Sequence, residues 1–144
     1  MRDYTKLVIC NVIPTAITNV EKAEGGIPNI KNCALWHEGK IAERPEHQGA
    51  KYVDSDVHKV LESMCMALDT DAAGDAEILA SQAKIAAKLN EWIEYYTWAP
   101  EQNGQYVGYF DSYYSLEPTY EKYSNPDNHE LYCQGHFIEA EIAH

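Results

Sequence analysis

The stretch Asp127-Asn128-His129-Glu130-Leu131-Tyr132-Cys133-Gln134-Gly135-His136-Phe137-Ile138-Glu139-Ala140-Glu141-Ile142-Ala143-His144 decides how the rest of the chain is read. It follows Pro126, and Asp127 or Asn128 can cap a helix that starts there. At 3.6 residues per turn, His129, Cys133, His136, Ala140 and Ala143 fall on one stripe, with Tyr132 beside it. Leu131, Gly135, Ile138 and Ile142 fall on the opposite stripe. Glu130, Gln134 and Glu141 share a narrow polar wedge between them. A surface helix ordinarily has one apolar face. This one has two faces unsuited to water, and one of them carries imidazoles and a thiol. The pattern suits an inner helix of a double-layered helical barrel, packed on an outer helix on one side and facing a polar lumen on the other.

Upstream, the same period recurs. Tyr4 to Ala23 places Ile9, Ile13, Ile17 and Val20 on one stripe, with Pro14 as a kink or a new start. Gly25-Gly26 ends that helix, and Pro28 suits the first turn of a second one that reaches about His37. Gly39 to Val53 reads as a polar loop. Ser55 to Leu68 is a helix with Val57, Leu61, Met64 and Leu68 inward, capped by Asp54 or Ser55. Asp69 to Asp75 is a turn. Ala76 to about Trp98 puts Ile78, Ile85, Leu89, Trp92, Ile93 and Tyr96 in one sector, as an outer helix with one buried face does. From Ala99 to Pro126 the helical period is lost. Gly104, Gly108, Pro118 and Pro126 interrupt a run rich in Tyr and Phe, where Tyr106 to Tyr114 can form short strands. An irregular segment this long is commonly functional or disordered, and so many aromatic residues argue against disorder. The fold class is all-α.

Composition narrows the function classes. The 144 residues carry a formal net charge of −12, which argues against nucleic acid and against an anionic membrane surface, both of which need clustered Lys and Arg. No run approaches the ~20 apolar residues needed to span a bilayer, and the N-terminus lacks the apolar core of a secretion signal. Cys10, Cys33, Cys65 and Cys133 are widely spaced, which fits reduced, partly buried thiols in a cytoplasmic protein. An even count also permits disulfides.

The run His129-Glu130-Leu131-Tyr132-Cys133, followed by Gly135-His136 and Ile138-Glu139-Ala140, resembles glycoside hydrolase family 127, the β-L-arabinofuranosidase-like family. Two further stretches agree with it in order and spacing. They are Asp54-Ser55-Asp56-Val57 with Lys59 and Leu61-Glu62, and Asn103-Gly104 leading into Tyr113-Tyr114. The resemblance implies an (α/α)6 barrel of which this chain supplies the N-terminal part, an incomplete ring of alternating inner and outer helices. It implies removal of terminal β-L-arabinofuranosyl units from plant-type glycans, with a carbohydrate as partner. It also implies a zinc, held by Glu and Cys residues far downstream of the matched region, so no cofactor is expected on this chain's residues. The family's catalytic domain runs several hundred residues further, so this chain reads as a truncated segment, inactive by itself. An open barrel edge would favour self-association.

On that resemblance the histidine at His129 lines the sugar subsite, and an imidazole with one donor and one acceptor suits a sugar hydroxyl. Its expected neighbours are Tyr113 or Asp111 from the aromatic loop, or Asp54 and Asp56 across the lumen, with His136 a further candidate contact. The aromatic loop either stacks on sugar faces or closes one end of the barrel. Asp54 and Asp56 invite two readings, a local helix cap or a pair of acid/base carboxylates; capping is the commoner reason for acids at a helix start. His129, Cys133 and His136 at i, i+4 and i+7 have metal-ligand spacing, and His-Glu-x-x-Cys echoes a zinc protease motif but lacks its second histidine. Packing is the plainer account of that stripe, and a buried structural thiol the plainer account of Cys133. Two other classes stay open. One is a non-catalytic helical carbohydrate-binding or scaffold module. The other is a small metal-dependent hydrolase using the His129/Cys133/His136 stripe.

Overall fold

The apolar periods of the sequence become seven α-helices in the computed structural model, which describes residues 2–97, 108–117 and 119–144. They are α1 (Arg2–Leu7), α2 (Ile13–Lys22), α3 (Gly26–His37), α4 (Asp54–Asp69), α5 (Ala76–Ile93), α6 (Ser112–Leu116) and α7 (Glu130–Ala143). A π-helical turn, Val8–Val12, joins α1 to α2, and 3-10 turns occupy Glu94–Tyr96 and Pro126–Asn128. Among the described residues there is no strand. The chain is therefore all-α, as the period indicates.

Pro14 explains the π turn. It sits in the first turn of α2, where the missing N–H costs least. The Ile13 N–H reaches back five residues to Val8 O, the π register. In that register the absent Pro14 N–H would have paired with Ile9 O. The Ser81 hydroxyl donates to that carbonyl at 2.7 Å instead. Ile9, Ile13, Ile17 and Val20 stay on one buried stripe through the change of register.

The core forms where the helices meet. Trp92, Met64, Val57, Ile30 and Phe110 are fully enclosed. Asp75 caps α5, accepting from Glu77 N–H at 2.9 Å and Ile78 N–H at 3.3 Å. α4 and α7 lie against one another and run parallel. Near their starts Lys59 meets Tyr132, and further along Leu61 and Cys65 share a cavity of about 130 Å³ with Phe137, Ala140 and Glu141. α5 runs the opposite way to α4, since Gln82 near its start donates to Ala67 O and Thr70 O at the end of α4.

Four expectations need correction. The last helix begins at Glu130, because Asn125 caps a separate 3-10 turn and His129 adopts the left-handed conformation, φ 59°. The buried face of α7 is Glu130, Cys133, Phe137 and Ala140, while Leu131, Ile138 and Ile142 are exposed. The stripe assigned to an outer helix thus faces solvent, and Glu130, assigned to the polar wedge, is buried. Instead of a strand, Ser112–Leu116 is helical, because Asp111 caps it and accepts from Tyr114 N–H at 3.2 Å. Trp98, Asn103-Gly104, Tyr106 and Pro118 lie outside the described residues. No described helix is long and apolar enough to cross a membrane.

The π-turn account gives a stability prediction. Ser81→Ala leaves Ile9 O without its donor and should cost about 1–2 kcal/mol in urea denaturation. Thr18→Ala, which removes an exposed bond to Pro14 O, should cost clearly less. Equal costs would refute the account.

Candidate functional site

The first turns of α4, α6 and α7 converge, and the sequence-predicted residues distribute themselves around that point. Asp54 is 1% exposed. Its carboxylate accepts from the Ser112 backbone N–H at 2.5 Å and from the Ser112 hydroxyl at 2.6 Å. It does not cap its own helix. The first N–H groups of α4 are met by the preceding turn, Ser55 N–H to Tyr52 O and Asp56 N–H to Val53 O, both at 3.1 Å. Asp54 instead serves the free N–H groups at the start of α6, beside Asp111. Asp56 points outward and pairs with Lys59 at 3.5 Å. The two aspartates therefore form neither a cap nor an acid/base pair, because positions two apart in the first turn face opposite sides of α4.

A second buried carboxylate group comes from α7. Glu130 accepts from the Tyr109 hydroxyl and from Tyr123 N–H at 2.5 Å, and the Gln134 amide donates to Phe110 O. Asn128 links the Tyr114 hydroxyl, at 2.9 Å, to the Lys51 ammonium, at 2.7 Å. Thus the described part of the aromatic segment is packed mainly as structure. Tyr109, Phe110 and Tyr114 are buried, and Tyr113 is half-buried.

Burial drives the protonation chemistry here. Desolvation pushes the Asp54 carboxyl up to about 6, against the two Ser112 bonds. It pushes Asp111 up as well, and the Asp54 charge adds to that. One Asp111 oxygen, Oδ2, is buried with no hydrogen-bond partner among the described residues, a setting that disfavours a charge. His58, enclosed and donating from Nδ1 to Cys133 O at 3.3 Å, is pushed down to about 3 by the same desolvation. The Cys133 thiol is pushed up to about 12 by burial, so it is no nucleophile near neutrality.

The solvent-facing half of the site is different in kind. His129 is exposed and its Nδ1 bonds Asp127 O at 2.9 Å. A carbonyl only accepts, so neutral His129 carries its proton on Nδ1, which makes Nε2 the acceptor of this exposed ring. The ring lies between Tyr52, at 5.1 Å, and Tyr132, at 6.3 Å. His136 continues the row, edge-on to Tyr132 at 4.7 Å, with its Nδ1 donating to Glu139 at 2.8 Å. Lys59 donates to the Tyr132 hydroxyl at 2.7 Å. A depression of about 220 Å³ opens beside His129, lined by Tyr123, Asn125, Pro126, Glu130, Leu131 and Tyr132.

His129, Tyr132 and His136 thus share a face with Tyr52, Lys59 and Asp56. Asp54 and Asp111 are buried behind it and do not touch His129. Tyr113 lies to one side and reaches the face through Lys51, whose ammonium sits 5.2 Å over its ring. The His129/Cys133/His136 stripe does not converge, because His129 precedes the helix, Cys133 turns inward and His136 pairs with Glu139. Among the described residues there is no group of three His, Cys, Asp or Glu that could hold a metal. All four cysteines are free, and the sequence has no adjacent pair, so the residues present do not fit the zinc that the resemblance implies. Sequence reasoning missed Tyr52 and Lys51, which sit in a stretch with no periodic signal, and Glu130, whose wheel position looked solvated.

Comparison of the chain with protein families, with curated proteins and with solved structures finds no match.

The raised Asp54 carboxyl makes stability depend on pH with a definite sign. The folded state holds this proton up to about 6, and the unfolded state releases it near 4. Its contribution is complete below the unfolded value and is lost as pH rises through about 6. His58 and His47, held neutral by burial, act oppositely as pH falls below their ordinary 6.5, but they are common to wild type and variant. Urea denaturation should therefore show Asp54→Asn gaining stability relative to wild type between about pH 4.5 and about pH 7.5. A difference independent of pH would contradict this.

Proposed function

We propose that the face around His129 binds a sugar, and that the chain is the N-terminal part of an (α/α)6 glycoside hydrolase barrel of the family 127 type, acting on β-L-arabinofuranosyl units of plant-type glycans. The observation that carries this reading is the exposed His129 ring, its Nδ1 donating to Asp127 O, against two exposed tyrosine rings. An acceptor flanked by aromatic area suits a small polyhydroxylated ring, which offers hydroxyl donors at its edge and C–H groups on its faces. The depression beside it, about 220 Å³, is below the ~300–1,000 Å³ of sites for drug-sized ligands and suits a single sugar unit.

The arrangement of α4, α5 and α7 supports the barrel part of the reading. Parallel α4 and α7, with antiparallel α5 connecting them in sequence, are what two successive inner helices and one outer helix require. The exposed Leu131, Ile138 and Ile142 then mark the open edge, where a further helix or a second copy of the chain would pack. The role of these residues is to bind and orient. Cys133 is enclosed and protonated, and Asp54 is closed off by Ser112, so neither reaches a substrate. Zinc, in the resembled family, supplies an activated cysteine nucleophile; no residue of this chain is assigned to hold it.

Calorimetric titration with methyl β-L-arabinofuranoside tests the proposal. His129→Ala should weaken binding at least about tenfold, equivalent to about 1.4 kcal/mol, with little change in melting temperature. His136→Ala, whose inner nitrogen is already committed to Glu139, should weaken it less. The chain alone should release no arabinose from an arabinofuranoside. A buried-type response, with His129→Ala lowering stability and sparing affinity, would refute the assignment.

A further inference from the structure

Residues 38–53, between α3 and α4, have no regular structure apart from turns and bends. The segment exceeds the ~12–15 residues beyond which an irregular connection is commonly functional. It is nevertheless held with unusual closeness. Asn29 is fully enclosed. Its amide donates to Gln48 O at 2.9 Å and accepts from Gln48 N–H at 3.0 Å, the pairing that a neighbouring strand would offer. Beside it two backbones touch through glycines. A Cβ on Gly25 would stand 2.6 Å from Gln48 O, and one on Gly49 would stand 2.7 Å from Glu24 O. Both glycines have positive φ, 99° and 76°, so side chains are excluded twice over.

Beyond this staple the segment crosses the candidate site. Arg44 pairs with Glu117 at 3.4 Å, and the His47 ring meets Tyr113 edge-on at 5.3 Å. Lys51 reaches Asn128 and Tyr113. Tyr52 stands against His129 and is 46% exposed. A connection anchored only for stability would turn its tyrosine inward. This one fixes its backbone deeply and leaves Lys51 and Tyr52 at the surface, against Asn128 and the His129 ring.

We propose that residues 38–53 form a strap that backs the ligand site, that its Lys51 and Tyr52 hold Asn128 and His129 in place for a polyhydroxylated ligand, and that Asn29 is the positioning residue that sets their place. The assignment of a sugar as the ligand rests on the reading above; the placement of His129 by the strap does not. Asn29 acts through Gln48. Losing its two bonds leaves the Gln48 peptide unsatisfied in a close-packed corner, and the strap shifts from that point.

The test uses the whole chain with isotope-labelled histidine, following the His129 ring signals by NMR with and without methyl β-L-arabinofuranoside. Tyr52→Ala and Asn29→Ala should both move the His129 ring signals, through the lost or displaced Tyr52 ring, by more than they move those of exposed His144. Both should weaken sugar binding several-fold, as should Lys51→Met. Tyr52→Phe, which keeps the ring, should stay close to wild type in both respects. Tyr52 is at the surface, so its variants fold. If Asn29→Ala does not fold, Asn29→Asp, which keeps the acceptor and loses the donor, makes the same comparison. His129 signals unmoved in both Tyr52→Ala and the folded Asn29 variant would overturn the strap's role. Signals that move while wild type ignores the sugar would uphold the strap's placement of His129 and count against the arabinofuranoside reading alone.

Discussion

The structure depends on one buried carboxylate. Asp54, at the start of α4, holds both the backbone N–H and the hydroxyl of Ser112 at the start of α6, a residue far along the chain. Burying a carboxyl costs several kcal/mol unless it is hydrogen-bonded or neutralised. Asp54 uses both remedies, with two short bonds and a proton affinity raised toward neutrality. α6 has too few residues to be stable as an isolated helix. Its start is defined from outside, by Asp54 and by its own cap Asp111. Without that clasp the aromatic segment would lose its attachment to α4, and Tyr113 its place beside the site.

The rest of the site follows from where α7 enters. Glu130 and Gln134 tie the aromatic segment from one side, and Asn128 ties it to Lys51 from the other. His129 stands between these buried anchors in a left-handed conformation. That conformation is uncommon for a residue other than glycine, and here it accompanies an exposed imidazole whose Nδ1 donates to Asp127 O. A rigid buried layer of carboxylates and tyrosines therefore supports an exposed layer of imidazole, tyrosine and lysine. One layer is enclosed and the other open to solvent, and tyrosine is the residue type the two share.

Much of this was legible in the sequence, for reasons that differ by element. The stripe Ile9, Ile13, Ile17 and Val20 and the sector Ile78, Ile85, Leu89 and Trp92 were readable because one-sided burial imposes the helical period. Pro14 was readable as a kink or a new start because proline lacks an N–H, but the π register it takes was not. α7 was readable as a helix but not as to its faces. A helical wheel fixes angles between residues, not which stripe meets a neighbour, so Glu130 was placed on the wrong side. α6 was illegible, since its helicity comes from a carboxylate on another helix. The strap was illegible for a related reason. Its order comes from Asn29 and from two glycines that let backbones meet, and neither leaves a periodic trace.

The central claim is that the exposed face at His129, and not the buried acids behind it, meets the ligand. A crystal structure of this chain soaked in methyl β-L-arabinofuranoside tests it most directly. The account predicts a furanose ring in the depression beside His129, against Tyr132, with a hydroxyl within hydrogen-bond distance of the His129 ring. A sugar seated elsewhere on the chain, or an unchanged His129 face at saturating sugar, would contradict it.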